Sequence, residues 1–328
     1  MSRFRLALAG TGGKYGHGIR AHVIPGRRFG FELVAVFDPS EEKLAEAREL
    51  LGDEAGFKVY DSFKAMVTDP SIDAVVITSP DENHPKQMKT ALEAGVPTLC
   101  DKPLATTNKG LRIVKRGLEL ALRRNIPFMS CHPREGSLPY RWVETHLGDM
   151  QRRFGALQHV ELDFSYHIPE AAWKQARSLL LDHFLHEIDF VLRLLGSQPF
   201  EAWRLADGFD RYTVAGKLQK GVTFLFNGSR RLENSTYPET IMLRFNRGTC
   251  LVNTKTGLII YRNHETEELE SELGSPIDYS VSFDLIMANF AAAISQGANS
   301  QHIGHLWRIN EAALRLTTRG HYKSPGMS

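Results

Sequence analysis

The sequence predicts an α/β protein in which a helix-covered parallel sheet is followed by an antiparallel sheet. Over the first 130 residues, short apolar runs alternate with helix-like segments rich in Ala, Leu, Glu, Lys and Arg, which is typical of βαβ units. Beyond about residue 154, longer segments alternate apolar and polar residues at hairpin-like spacing. In a chain of 328 residues these patterns predict two domains, residues 1–130 and residues 131–328.

The parallel strands are expected at the apolar runs 4–9, 33–37, 74–77, 96–100 and 127–130. Helices are expected between them, over residues 41–51, 62–67, 84–94 and 109–124. Because the strands are apolar along nearly their whole length, both faces of this sheet should be covered by helices.

In the second domain, the first expected strand contains the alternating residues Val160, Leu162, Phe164 and Tyr166. Further strands are expected at 212–219, 222–226, 241–245, 249–253 and 258–262. This pattern favours an antiparallel sheet with one covered face. A strong helix is expected over residues 179–195, and two more close the chain near 282–296 and 303–318.

The composition is that of an ordinary globular protein, with 42% hydrophobic and 24% charged residues. Lys and Arg number 40 against 38 Asp and Glu, so the charge balance indicates neither nucleic acid nor an anionic membrane as a partner. No apolar run approaches the roughly 20 residues that span a bilayer, and the first residues do not form a signal-peptide core. The 3 cysteines are widely spaced, which argues against disulfides or a zinc knuckle and favours the cytoplasm.

A glycine-rich turn follows the first expected strand. It has the sequence Gly10-Thr11-Gly12-Gly13-Lys14-Tyr15-Gly16. Such glycines let backbone N–H groups approach the pyrophosphate of a dinucleotide at the start of a helix. The strict third glycine would fall at Tyr15, so Gly16 serves only if the turn carries one extra residue. An ordinary turn is the alternative.

An acidic residue follows the second expected strand, since Asp38 lies 22 residues after Gly16. A carboxylate there accepts hydrogen bonds from the adenosine ribose and repels a 2′-phosphate, which favours NAD over NADP. The alternative role of Asp38 is to cap the helix that begins after Pro39.

Ser79 and Pro80 follow the strand 74–77 on the same sheet edge, where small residues would line a dinucleotide cleft. His84 stands close by. Its ring could belong to this cleft, but a role in capping the helix 84–94 is the interpretation we favour.

Two sets of residues are candidates for a catalytic site. Asp101-Lys102-Pro103 follows the run 96–100, at the carboxyl edge where open α/β sheets bind ligands. Asp182, His186, Asp189 and Arg193 form one polar stripe on the helix 179–195. The stripe is either an acid–base surface or a solvated, salt-bridged face. A metal site at Asp182, His183 and His186 is disfavoured because no further ligand motif recurs, and no metal is expected.

Together these motifs resemble the Gfo/Idh/MocA family of glucose-fructose oxidoreductase and inositol dehydrogenase-like enzymes. The resemblance covers most of the chain and is strongest over residues 1–135. It implies an N-terminal Rossmann parallel sheet and a C-terminal α/β domain with a large, mostly antiparallel sheet.

The resemblance also implies roles for individual residues. Lys102 takes the place of the family lysine that binds the reacting hydroxyl, His186 that of the acid–base histidine, and Asp182 that of the substrate-binding aspartate. His132 and Arg134 match a loop that borders the nicotinamide and the substrate. The chain departs from the family where Ser178, Leu179, Leu180 and Phe184 replace the usual glycines.

The expected function is NAD(P)-dependent hydride transfer between nicotinamide and a secondary alcohol or ketone of a sugar, cyclitol or related polyol. The alternatives are a non-catalytic dinucleotide or sugar sensor, and an enzyme that uses retained NAD transiently for glycoside cleavage or epimerisation. A homodimer or homotetramer is expected.

Overall fold

The computed structural model describes residues 3–12, 16–52, 56–165, 177–230, 239–264, 266–270 and 279–327. Packing divides the chain into two compact units. The first unit comprises Met1–Gly136 with Tyr279–Asn310, and the second comprises Ser137–Asp278 with Glu311–Ser328. Each packing unit combines two segments that are separate along the chain. The predicted domain boundary between residues 130 and 131 stays a prediction.

The first unit contains a six-stranded parallel sheet in the order β3-β2-β1-β4-β5-β6. Its strands are β1 (Phe4–Ala9), β2 (Phe31–Phe37), β3 (Lys58–Val59), β4 (Ala74–Ile77), β5 (Thr98–Asp101) and β6 (Phe128–Cys131). The predicted parallel sheet is confirmed. Since the strand order reverses between β1 and β4, the carboxyl ends of these two strands flank a topological switch point, where such sheets bind ligands.

The helices of this unit are α1 (Ile24–Gly26), α2 (Glu41–Leu51), α3 (Phe63–Val67), α4 (His84–Ala94), α5 (Asn108–Arg124) and α8 (Tyr279–Gln296), together with the first part of α9 (Ser300–Arg319). A π-helical turn, Ile19–Val23, precedes α1. Side chains cap the longer helices: Ser40 Oγ accepts from the Lys43 N–H of α2, and Thr107 Oγ1 accepts from the Gly110 N–H of α5.

Helix α8 belongs to the first unit because its apolar face is part of that unit's core. Ile286, Met287 and Phe290 are each at most 1% exposed. The ring of Phe290 stacks on that of Phe31 in β2, with centroids 5.5 Å apart and planes 8° apart. Burial of this apolar surface fixes the late segment 279–310 against the early sheet.

The second unit contains a nine-stranded sheet in the order β14-β13-β12-β11-β7-β10-β9-β8-β15. Its strands are β7 (Leu157–Ser165), β8 (Phe200–Gly208), β9 (Arg211–Leu218), β10 (Thr223–Ser229), β11 (Glu239–Phe245), β12 (Gly248–Asn253), β13 (Ile259–Arg262), β14 (Glu267–Glu270) and β15 (His321–Lys323). Only β7 and β10 pair in parallel among these strands, so the mostly antiparallel sheet is confirmed. Tyr166, the end of the predicted first strand, lies outside the described residues.

Two helices, α6 (Leu138–Phe154) and α7 (Leu179–Leu195), belong wholly to the second unit. The ring of Phe184 on α7 is fully buried and packs against Phe226 of β10, with centroids 5.9 Å apart. On the opposite face of the sheet, Trp203 and Leu205 of β8 are 37% and 64% exposed. The unit therefore has one covered and one open sheet face near β8.

In the described part of the chain, every helix falls short of the length and apolarity needed to cross a membrane. Cys100, Cys131 and Cys250 are all buried and unbridged.

Candidate cofactor and active site

The glycine turn brings the backbone after β1 against the backbone after β4. Gly10 and Gly12 have φ values of +87° and +88°, which favour glycine. A Cβ atom at Gly10 would lie 2.7 Å from the Cα of Ser79, so a larger residue would force the two loops apart. Gly16, also at positive φ, ends the turn, whereas Gly13 and Tyr15 lie outside the described residues.

The carboxylate of Asp38 fastens the glycine turn to the start of α2. Its Oδ2 accepts hydrogen bonds from the N–H of Thr11 at 3.0 Å and from the Thr11 hydroxyl at 3.2 Å, and its Oδ1 accepts from the Ser40 N–H at 3.1 Å. Ser40, not Asp38, caps α2. A carboxylate offers about four acceptor positions, so these bonds leave one for a ribose hydroxyl, and the site fits a dinucleotide.

The imidazole of His84 joins the loops that follow β4 and β5. It is 1% exposed, and it donates from Nε2 to the Ser79 carbonyl at 2.7 Å and from Nδ1 to the Pro103 carbonyl at 2.9 Å. A carbonyl oxygen can only accept, so both ring nitrogens carry protons and the ring is cationic. The expected capping role of His84 is therefore wrong: α4 begins at this residue, and its ring bridges two loops instead.

The environment of His84 raises its pKa to about 9. Burial alone would lower this pKa, but Cys100, the Pro103 carbonyl and the charge of Asp101 outweigh it. His84 thus holds its proton more tightly in the folded chain than in the unfolded chain, where the pKa is about 6.5.

This linkage predicts that the chain loses stability in alkaline solution. The contribution of His84 is fully present below about pH 6.5 and is lost as the pH rises through about 9, at a cost of about 3 kcal/mol in the free energy of unfolding. Urea unfolding at pH 6 and pH 9.5 should show this loss in the wild type and not in His84→Gln. The exposed His321→Gln serves as control, and an equal loss in all three proteins would contradict the charged ring.

Asp101 and Lys102 follow one another at the end of β5. The carboxylate of Asp101 accepts from His17 Nε2 at 2.9 Å and from His22 Nε2 at 3.2 Å. Burial would raise the pKa of Asp101, but the two histidines hold it well below its usual range. Lys102 is half-buried and directly follows Asp101 in the chain. Sequence reasoning selected Lys102 and missed both histidines.

His132 and Arg134 follow β6 on the same edge of the sheet. They are 3% and 4% exposed, and Arg134 lies in the short 3₁₀ helix Pro133–Gly136. The carboxyl ends of β1, β2, β4, β5 and β6 therefore all carry residues selected from the sequence.

The polar stripe on α7 lies in the second unit and is buried. Asp182, His186 and Asp189 are 4%, 7% and 4% exposed, so the stripe is not a solvated face. Asp182 accepts two hydrogen bonds from Arg177, at 2.8 and 3.1 Å. Asp189 accepts from Arg193 Nε at 3.0 Å. These ion pairs supply hydrogen-bond partners to both buried carboxylates, which place polar groups inside the second unit.

His183 and His186 meet edge to face, with ring centroids 5.4 Å apart. The ring of His183 also stacks on that of Phe164, with centroids 3.5 Å apart. Glu187, one turn further along the helix, accepts a hydrogen bond from the Tyr212 hydroxyl at 2.5 Å.

Among the described residues, the one group with metal-ligand spacing is His17, His22 and Asp101. The sequence did not predict this group.

Comparison with known proteins finds one matching family model and relatives that are named as dehydrogenases or reductases. Residues 4–124 match the family model GFO_IDH_MocA, described as an oxidoreductase family with an NAD-binding Rossmann fold. Over 124 residues, 38% of this chain, the sequence is 32% identical to inositol 2-dehydrogenase of Mycolicibacterium smegmatis. It is 24% identical over 288 residues to 1,5-anhydro-D-fructose reductase of Ensifer adhaerens, covering 82% of each chain.

The alignments to inositol 2-dehydrogenases of M. smegmatis, Rhodococcus jostii and Saccharopolyspora erythraea span 34%, 40% and 25% of those proteins. The fold itself extends further. A solved levoglucosan dehydrogenase, in complex with NADH and levoglucosan, superposes with a TM-score of 0.80 at 16% identity, covering 99% of this chain and 100% of the other. Residues 4–124 thus resemble the NAD-binding Rossmann domain of the Gfo/Idh/MocA oxidoreductases, and the fold of the chain is that of the solved structures.

Proposed function

We propose that the chain is an NAD-dependent oxidoreductase that transfers hydride between nicotinamide and a CH–OH group of a sugar, cyclitol or related polyol. The observation that carries this proposal is the edge of the parallel sheet, where the glycine turn, Asp38 and Lys102 lie at the carboxyl ends of β1, β2 and β5. The inositol 2-dehydrogenase and the 1,5-anhydro-D-fructose reductase among the relatives support the substrate class.

The residues of the first unit would hold the cofactor. The glycine turn offers backbone N–H groups to the pyrophosphate, and Asp38 offers its free acceptor position to the adenosine ribose. Ser79 and Pro80 would line the dinucleotide cleft, and the ring of His84 holds the loop that carries them. Bound NAD supplies the hydride acceptor, and a carboxylate at position 38 disfavours the 2′-phosphate of NADP.

The family resemblance assigns Lys102 and His186 to the reacting substrate hydroxyl. The ammonium of Lys102 stabilises negative charge that develops on the oxygen, and the imidazole of His186 accepts the hydroxyl proton. Asp182, oriented by Arg177, would hold a neighbouring hydroxyl or the imidazole. His132 and Arg134 would border the substrate. In the reverse direction the same groups protonate a ketone.

Fluorescence titration with NADH and NADPH tests the cofactor assignment. We expect NADH to bind at least about 10-fold more tightly than NADPH, because Asp38 repels the added phosphate. Asp38→Ser should remove most of this preference, whereas Glu41→Gln, an exposed acid in the first turn of α2, should leave it unchanged. Tighter binding of NADPH by the wild type would refute the assignment.

A panel of polyols and keto-sugars, followed at the nicotinamide absorbance band, tests the activity. Turnover of at least one member supports the proposal. NADH binding without any turnover would favour a sensor, and nicotinamide retained through purification with no net redox change would favour transient use of NAD.

The open sheet face that carries Trp203 and Leu205 supports a homodimer or homotetramer. The unbridged cysteines fit a reducing compartment, and we propose the cytoplasm.

A further inference from the structure

Three side chains of the first unit converge beside Lys102. His17 and His22 each direct Nε2 at one oxygen of Asp101, at 2.9 and 3.2 Å, and the ligating atoms of all three residues lie within 4.8 Å of one another. The cluster combines two imidazoles with a carboxylate, a ligand set that binds Zn²⁺ in proteins.

An irregular helix creates the cluster. In an α-helix, residues five apart point about 140° away from each other. Here the π-helical turn Ile19–Val23 follows His17 and contains His22, and hydrogen bonding from i to i+5 brings residues of that spacing towards one side. Phe283 of α8 packs edge-on against both rings, with centroids 5.9 and 5.6 Å away, and holds them in place.

The dimensions of the cluster suit a metal ion. With bonds of about 2.0–2.1 Å in a tetrahedral site, neighbouring ligand atoms lie about 3.3 Å apart. His17 and His22 contact different oxygens of Asp101, at 2.9 and 3.2 Å. With one ligand atom from each residue, the separations are at most 4.8 Å, so the widest would have to close by at most about 1.5 Å around an ion. A cation would take the place of the two Nε2 protons that now lie between the rings and the carboxylate, and would neutralise the buried charge of Asp101.

The surroundings supply a route of entry. His17 is half-exposed at 49%, which gives solvent ions access. The nearby charge of Lys102 opposes a cation, so we expect weaker binding than in a closed structural zinc site.

We propose that His17, His22 and Asp101 form a binding site for Zn²⁺ or a similar borderline divalent transition ion. Imidazole ligands select these ions over Mg²⁺ and Ca²⁺, which prefer oxygen. The bound ion would tie the helix after the glycine turn to the end of β5. The site needs neither nicotinamide nor substrate, so it stands independently of the proposed oxidoreductase activity.

Isothermal titration of the tag-free full chain with ZnCl₂ tests the proposal, with Co²⁺ absorption as a second readout. The wild type should bind one equivalent and give the visible spectrum of cobalt held by nitrogen ligands. His17→Ala removes an exposed ligand and should weaken binding at least about 10-fold, since even the loss of an outer-shell partner costs that much. His321→Ala is the matched control, because its ring is 45% exposed and also pairs with a carboxylate, that of Glu201.

Circular dichroism confirms that each variant is folded, and Asp101→Asn provides a second ligand substitution. Absence of saturable Zn²⁺ binding in the wild type would overturn the proposal. So would equal binding by the wild type and His17→Ala, or a loss of binding in His321→Ala alone.

Discussion

Replacing Lys102 with alanine is expected to lower kcat/KM by about 10²- to 10³-fold, because the variant lacks the positive charge that stabilises the developing alkoxide. Binding of NADH should stay largely intact, since the glycine turn and Asp38 are unchanged. Steady-state kinetics on the best polyol substrate and NADH fluorescence titration measure the two effects separately.

Lys109→Ala is the matched control for this experiment. Lys109 is exposed at the start of α5, seven residues further along the chain, and its loss removes the same charge. Turnover by Lys102→Ala at the wild-type rate would refute the role assigned to Lys102. A similarly large fall in kcat/KM for Lys109→Ala would show that the net charge of the protein, and not the position of Lys102, determines the rate.

Replacing His186 with asparagine is expected to lower kcat by about 10²- to 10⁴-fold, which is the usual contribution of a positioned general base. The pH profile of kcat should also differ from that of the wild type, because the variant lacks the proton-accepting imidazole. Kinetics across the pH range, with NADH titration to confirm that the cofactor still binds, measure both effects.

His183→Asn controls for the loss of a buried imidazole from the same helix, since His183 and His186 are 6% and 7% exposed. Circular dichroism checks the fold of both variants. If the two substitutions lower kcat equally, or if the pH profile of His186→Asn matches that of the wild type, the assignment of the base is wrong.

Local sequence patterns predicted most of the parallel sheet. Strands β1 and β4 and helix α7 have the predicted bounds, because apolar runs and the Ser178 cap mark them. Helix α6 was missed although Ser137 and Pro139 mark its start and Gly155 its end. The short strands β3, β14 and β15 were also missed, since segments of two to four residues carry too little periodicity.

In the candidate site, too, the sequence predicted the residues that follow a local pattern, but not the contacts that they make with distant residues. The helical spacing of the sequence predicts the polar stripe of α7. It does not predict that the stripe is buried, because burial depends on how the rest of the unit packs around the helix. The cationic state of His84 depends on two carbonyls, one of them 19 residues away. His17 and His22 were overlooked because their five-residue spacing separates them on an α-helix, and only the π-helical turn brings them to Asp101.

A crystal structure of the chain with NAD⁺ and a turned-over polyol tests the central claim most directly. We expect Lys102 Nζ and His186 Nε2 each to lie about 2.6–3.2 Å from the same substrate hydroxyl, beside the nicotinamide ring. A complex in which the two groups contact different parts of the protein, with the hydroxyl held by other residues, would contradict the account.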